Sequence, residues 1–533
     1  MYRNLYQKNK TEYLLRKGGA SASPPIPRDL PTEIIKEIAS FSDKATSHNI
    51  YLTDKNMYRD EPCQPTQLTA TNFMKYISNE LFSEKFKRCA DQYTILISPE
   101  EIIWFNDLED DLEDRVKQLI QIIQSLKIQN INNENVNQLN ILGDVFPNLR
   151  ILNLDNCNQF TYLQESFRNL TQLQTLYLGN NILDTLPEWF GDLTQLKTLY
   201  LKRTRITLLP ESFCGLSNLE TLHLDENTLR ALPDTFGRLT QLQTLILVNN
   251  TLPLTLPNSF GDLTNLKTLY VAHNHLRSLP ESFGRLTQLQ TLFLFNIRLL
   301  TLPNSFGGLT HLKNLTLGYN RLISLPESFG RLTQLQTLYL NNNKLTTLPE
   351  SIRGLTNLQT LSLEYNNLTG LPESIRGLTQ LKTLYLNNNK LTTLPESIRG
   401  LTQLETLYLS DNQLTTLPES IGGLTNLKML KLSYNQLTTL PESFGSLTKL
   451  ETFYLGVNQL TTLPESIGGL TNLKMLNLSS NPLTTLPESI CGLTNLKMLN
   501  LSYNPLTTLP KSFEEFFRHR YVMGIYNIRY LAV

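Results

Sequence analysis

Leu378-Thr379-Gln380-Leu381-Lys382-Thr383-Leu384-Tyr385-Leu386-Asn387-Asn388-Asn389-Lys390-Leu391-Thr392-Thr393-Leu394-Pro395-Glu396-Ser397-Ile398-Arg399-Gly400 is a phrase of 23 residues that this chain writes again and again. Fifteen copies begin at Leu170, Leu193, Leu216, Leu239, Leu263, Leu286, Leu309, Leu332, Leu355, Leu378, Leu401, Leu424, Leu447, Leu470 and Leu493. The copy from Leu239 alone is longer, through its Pro253-Leu254 insertion. A looser copy starts at Phe146, and a frayed one is legible at Ile120, Ile123, Leu126 and Ile128. Self-similarity at such a period means stacked coils, each too small to bury its own apolar face.

The residue types explain the phrase. Leu384 and Leu386 stand two apart, so in a strand both enter the core while Thr383, Tyr385 and Asn387 point out. Leu378, Leu381, Leu391, Leu394 and Ile398 close the rest of the coil. Asn389 sits where the chain leaves the strand, and its amide is suited to backbone groups that would otherwise be buried unpaired. Repeated in register, it predicts an asparagine ladder with breaks at Thr204 and Ile297. Pro395 fixes the backbone ahead of a short helical or 3₁₀ turn, whose start favours the negative charge of Glu396.

The phrase resembles the leucine-rich repeat. The resemblance implies an α/β solenoid, with a curved parallel β-sheet on the concave face and short 3₁₀ or helical turns on the convex face. The sequence Leu-Pro-x-x-Ile/Phe-Gly-x-Leu is similar to the class found in Ras-suppressor and LAP-type scaffold proteins, over essentially all of 170–515. That resemblance implies a binding role inside a cell and names no partner.

Composition narrows the function classes. Lysine plus arginine equals aspartate plus glutamate at 47 each, which argues against nucleic acid as a partner. Cys63, Cys89, Cys157, Cys214 and Cys491 are scattered, at no metal-ligand or disulfide spacing, and read as free thiols in a reducing compartment. No apolar stretch is long enough to span a bilayer. The chain has no P-loop phrase, no Cys-x-x-Cys and no His-Glu-x-x-His, so the expectation is a protein that is not an enzyme, with no cofactor and no metal site.

Ahead of the array, residues 1–29 drift from basic and polar residues into Gly-Gly-Ala-Ser-Ala-Ser-Pro-Pro, which reads as a disordered lead and linker. Leu30-Pro31-Thr32-Glu33-Ile34-Ile35-Lys36-Glu37-Ile38 starts a helix with proline in its first turn and an apolar stripe. Residues 30–60 resemble the F-box, through Leu30, Pro31, Glu33, Ile34, Ile35 and Ile38 and a later Lys55 and Tyr58. The segment Ala45–Asn49 departs from the family by being less apolar. The resemblance implies docking on Skp1 and, through it, on a cullin-based ubiquitin ligase. Residues 61–119 read as a helical linker and N-terminal cap. The solenoid is placed at 120–515 and a C-terminal cap at 516–533.

The outward strand positions supply the candidate binding residues. Tyr177, Tyr200, Tyr270, Phe293, Tyr339, Tyr385, Tyr408 and Tyr454 recur in one column, and aromatic rows of this kind anchor partners. The alternative is that they only cover the sheet. Beside them, Lys202, Arg203 and Arg205 face Asp225 and Glu226, and Arg298, Arg321, Lys344 and Lys390 form a basic edge. Two functions follow as expectations. One is a substrate adaptor that joins a target on the concave face to a Skp1–cullin ligase. The other is a scaffold with no ubiquitin link. Both place the protein in the cytoplasm, of a host if it is a secreted bacterial effector.

Overall fold

The structure is a computed structural model that describes residues 66–70, 73, 93–107, 118, 120–129, 131, 135–157, 160–252, 255–513, 515 and 521–523. The lead 1–29, the F-box-like residues 30–60, the Pro253-Leu254 insertion and all of 516–533 except 521–523 lie outside the described residues. The chain divides into two units, 1–129 and 130–533.

In the first unit, strands β1 (Thr66–Thr69), β2 (Tyr93–Ile97) and β3 (Ser125–Ile128) pair in parallel, β1 on β2 and β2 on β3. Helix α1 (Pro99–Asp107) follows β2. Its start, Ser98-Pro99-Glu100-Glu101, is a capping box. The Ser98 N–H donates to Glu101 Oε2 at 2.7 Å and the Glu101 N–H to Ser98 Oγ at 3.4 Å. Leu68, Phe73, Ile95, Ile97, Ile102, Phe105, Leu126 and Ile128 form the buried core. The helical reading of 61–119 is therefore corrected to a mixed one, because β1 and β2 lie within it. Thr-Gln-Leu-Thr alternates too briefly to announce a strand, and parallel pairing with distant segments supplies what the local pattern lacks.

The second unit is the stack of coils. Strands β4 (Ile151–Asn153), β5 (Thr175–Tyr177) and β6 (Thr198–Tyr200) open a ladder that continues, one three-residue strand per coil, to β19 (Met498–Asn500) and β20 (Tyr521–Met523). Every neighbour along this run pairs in parallel and in register, Leu384 with Leu361 and Leu407 for example. Leu378, Leu381, Leu384, Leu386, Leu391, Leu394 and Ile398 are all buried. At about 1.5–3 kcal/mol for each such side chain, a coil gains most of its stability from the two coils beside it. Opposite the strands, most turns are 3₁₀ helices opened by an extended proline, such as Glu396–Gly400 after Pro395, while Gln164 and Thr235 open two others. In the earlier coils the turn carries a phenylalanine, and Phe260, Phe283, Phe306 and Phe329 stack nearly parallel at 5.9–6.3 Å.

The asparagine ladder is present. Asn389 Nδ2 donates to the Leu386 carbonyl of its own coil at 3.0 Å and to the Leu363 carbonyl of the preceding coil at 2.9 Å. Its Oδ1 accepts the Leu368 N–H at 3.0 Å. Where the ladder breaks, the next asparagine takes more. Asn320 Oδ1 accepts from both the Ile297 and Leu299 N–H groups, and Asn227 Oδ1 from both Thr204 and Ile206. The Thr204 hydroxyl also donates to the Leu201 carbonyl at 2.9 Å, a bond Ile297 cannot make. Each break places a second left-handed residue in its coil, Arg205 and Arg298.

The turn glutamates act across coils. Glu281 accepts the N–H groups of Asn304 and Ser305 in the next turn, and Glu327, Glu419 and Glu465 repeat this with Ser351, Ser443 and Ser489. They cap the neighbouring turn, whereas the expectation placed the charge on its own. Turns also approach so closely that a Cβ on Gly191 would overlap the Ser212 carbonyl oxygen. Glycine there is a packing requirement.

Candidate protein-binding face

Side chains of the central strand position project from the sheet on the side away from the leucine core. Tyr177, Tyr200, Tyr339, Tyr385, Tyr408 and Tyr454 are half-buried there, each open to solvent on one side. Tyr270 and Phe293 are not open, at 4 % and 9 % exposure. The expectation of exposed anchors at these two positions is corrected. Tyr270 packs on Phe293 at 5.6 Å, Phe293 on Phe295 at 5.8 Å and Phe295 on Tyr319 at 4.9 Å. Phe295 and Tyr319 sit outside the central column, so the column pattern did not find them. Their signal was a pair of aromatic residues in the loops that follow the strands of two successive coils.

The tyrosines form two further groups. In the first, Tyr177 and Tyr200 stack at 4.7 Å and 5°, and Tyr200 meets the His223 ring at 4.4 Å. Burial, with Tyr200 and the Asp155 carboxylate adding to it, pushes the Tyr177 hydroxyl up to about 12. His223 is pushed down to about 4 by burial and by Lys202. Lys202 Nζ lies 2.9 Å from Asp225 and 3.2 Å from Glu226, and Arg203 pairs with Glu226. The basic corner and the two acids expected to face it are thus one ion-pair network. Burial holds the Asp225 carboxyl above its usual range, with Lys202 opposing.

In the second group, Tyr385 and Tyr408 meet edge to face at 5.0 Å. Lys431 Nζ stands 4.1 Å from the Tyr408 ring centre and 5.8 Å from that of Tyr454. The Tyr408 and Tyr454 hydroxyls point at Met429 and Met475 Sδ, at 2.9 and 2.8 Å. Aromatic rings with a lysine between them make a surface that is apolar yet selective for what lies on it.

A second line runs beside the column. The loop residue just ahead of each ladder position is left-handed, with φ near +55 to +60° in almost every coil. Asparagine and aspartate tolerate this geometry, yet tyrosine holds it at Tyr319, Tyr365, Tyr434 and Tyr503, and valine at Val457. Tyr365, Tyr434 and Tyr503 are exposed. Among the described residues no group of three His, Cys, Asp or Glu could hold a metal ion, and no helix is long and apolar enough to cross a membrane.

This geometry coincides with a family described by its repeats. The sequence matches "Leucine-rich repeat region" over residues 123–252, 304–385, 323–413 and 373–456, together more than half of the chain. It matches "Leucine rich repeat" over 460–506 and "Leucine Rich Repeat" over 265–286. The chain belongs to the leucine-rich repeat family. A leucine-rich repeat protein of Leptospira interrogans is 32 % identical, with 76 % of this chain and 97 % of that one covered and a TM-score of 0.57. A TDR receptor structure is 29 % identical, with 75 % and 74 % covered and a TM-score of 0.59. In the Drosophila Toll–Spatzle complex the match is 24 % identical, with 86 % and 63 % covered and a TM-score of 0.62, a likeness of fold alone. No curated protein matches the chain. Leucine-rich repeats bind proteins, and this repeat protein carries the solenoid that such binding uses.

Proposed function

We propose that the repeat protein is a non-enzymatic binding module that seats a partner protein on its tyrosine-bearing strand face. One observation carries this reading. Six central tyrosines keep one side in water although the leucine core, a residue away in each strand, is fully closed. Sheet cover alone would be served by threonine, which fills the preceding strand position in most coils. Exposed aromatic rows are costly in water and gain free energy when a partner covers them. Changing Tyr339, Tyr385 and Tyr408 together to alanine is expected to weaken capture of the partner by a few kcal/mol. The thermal unfolding of the array should hardly move. If the triple variant unfolds instead, the tyrosines are structural cover and the reading fails.

The finer reading is a substrate adaptor of the Ras-suppressor/LAP-like repeat class, acting in the cytoplasm, in which residues 30–60 recruit Skp1. It is supported by Leu30, Pro31, Glu33, Ile34, Ile35 and Ile38, with Lys55 and Tyr58, and by their position ahead of a repeat array. The double change Leu30→Ala and Pro31→Ala should then abolish co-purification with Skp1 and the cullin. A wild-type chain that captures no Skp1 at micromolar concentration leaves the scaffold as the function.

A further inference from the structure

Charge is unevenly distributed in the middle of the array. Residues 286–400 carry ten lysines and arginines against five glutamates, although the whole chain is neutral. Four of those glutamates, Glu327, Glu350, Glu373 and Glu396, lie in the 3₁₀ turns, where Arg331, Arg353, Arg376 and Arg399 share the same turns. The strand side and its loops are left with Glu364 as their one acid. Burial pushes the Glu364 carboxyl up, and the Ser362 hydroxyl donates to it at 2.6 Å.

Against this single acid stand Arg298, Arg321, Lys344 and Lys390, one loop position repeated on four coils, all exposed. No carboxylate among the described residues pairs with any of them. The contrast with the earlier coils is direct, since Lys202 and Arg203 are paired with Asp225 and Glu226. The same loops are shaped against the preference of their residues. Arg298, Tyr319 and Tyr365 are left-handed at φ 68°, 57° and 57°, a conformation that costs a side-chain-bearing residue about 1–2 kcal/mol. The backbone ladder enforces it: the Tyr319 N–H donates to the Asn341 carbonyl at 2.9 Å and the Tyr365 N–H to the Asn387 carbonyl at 3.1 Å. Only Asn320 separates Tyr319 from Arg321, so aromatic and cationic side chains belong to one strip.

We propose that this strip, Arg298–Tyr319–Arg321–Lys344–Tyr365–Lys390, docks an acidic, extended peptide segment of the partner protein. The proposal rests on the protein-binding reading above and names the chemistry of what is bound. Charge complementarity selects the occupant: the strip offers cations with no acid of their own beside tyrosine rings. Length selects a peptide over nucleic acid. The coils from Arg298 to Lys390 at about 4.8 Å each span roughly 20 Å, the length of about six extended residues, of which every second one faces the strip. Three or so carboxylates then meet four cations. Duplex DNA would bring on the order of ten phosphate charges over the same span, far more than the strip can neutralise.

The test uses the full chain and a labelled peptide of roughly eight residues alternating glutamate with leucine, long enough to cover the strip in extended form. Comparison peptides replace glutamate by glutamine or lysine, and oligothymidine serves as the nucleic-acid probe. The glutamate peptide should bind at least about tenfold tighter than the glutamine peptide and weaken as salt rises. The combined change R298E/R321E/K344E/K390E should abolish that preference and favour the lysine peptide. If the charge-reversed chain fails to fold, R298Q/R321Q/K344Q/K390Q serves, and should bind glutamate and glutamine peptides alike. Equal binding of the two peptides by the wild type, unchanged preference in the variants, or tighter binding of oligothymidine overturns the proposal. A natural partner lost by the triple tyrosine variant but kept by the charge-reversed one overturns this inference alone and leaves the protein-binding reading standing.

Discussion

His223 shows at the residue scale how the stack changes a side chain's chemistry. In sequence it is one more member of the central column. In the folded array it is closed between Tyr200 and the Lys202–Asp225 pair, and burial with Lys202 holds it near 4 instead of its ordinary 6.5. The folded state therefore favours the neutral ring. Its contribution to stability is complete above pH 6.5 and is lost as pH falls from 6.5 towards 4. Asp225 acts in the opposite sense, because its raised value gives stability at low pH that is lost as pH rises through it. Comparing the wild type with His223→Gln removes the histidine part alone. Between pH 7 and pH 5 the wild type should lose about 2 kcal/mol more than the variant in urea unfolding. Equal losses would show that His223 titrates as an ordinary histidine. Tyr270 and Phe293 teach the related lesson. Alternation says correctly that they leave the core, but Tyr270 packs on Phe293 and Phe293 on Phe295, and no local pattern reports the contact between coils.

Elements in this protein are held by what the neighbouring coil donates. The ladder was legible from Asn389 and its copies, because an amide with both donors and an acceptor is the residue type that satisfies two coils at once. How the breaks are repaired was not legible. Asn320 accepts two backbone N–H groups from the coil of Ile297, whereas Asn389 accepts one from its preceding coil. Asn320→Ala should therefore destabilise the array by about 1–3 kcal/mol more than Asn389→Ala, since one more buried N–H is left without a partner. Urea unfolding of the two variants side by side decides it, and equal costs would refute the role given to Asn320. Strands β1 and β2 were missed for a different reason. They begin at Thr66 and Tyr93, further apart than one 23-residue phrase, so no repeat marks them.

Over the whole molecule, stability is a sum of coils and the interfaces between neighbours. Nothing in such a design obliges distant coils to unfold together. The two tryptophans lie in different units, Trp104 in α1 and Trp189 in the 3₁₀ turn Glu188–Asp192. Variants keeping one tryptophan each, through Trp189→Phe or Trp104→Phe, should give fluorescence transitions at different urea concentrations. Coincident transitions, equal to that of circular dichroism, would show one cooperative unit.

The amino-acid sequence by itself determined the fold and the side of each coil that faces water. Two leucines two residues apart, an asparagine at the turn and a proline before the next turn leave a chain of this period one way to bury its apolar side chains and pair its buried backbone. The outward column of tyrosines, the Lys202–Asp225 corner and the basic edge from Arg298 to Lys390 were legible for the same reason, since position in the phrase maps directly onto position on the surface. Tertiary structure alone decided which of those outward residues are available. Coils stack at strand spacing, close enough for a ring on one coil to cover a ring on the next, as Tyr270 does for Phe293. It also decided that Glu281 caps a neighbour's turn and that Tyr365 stands left-handed at the edge of the sheet. Those outcomes depend on contacts between residues a full repeat apart, which the phrase repeats but does not describe.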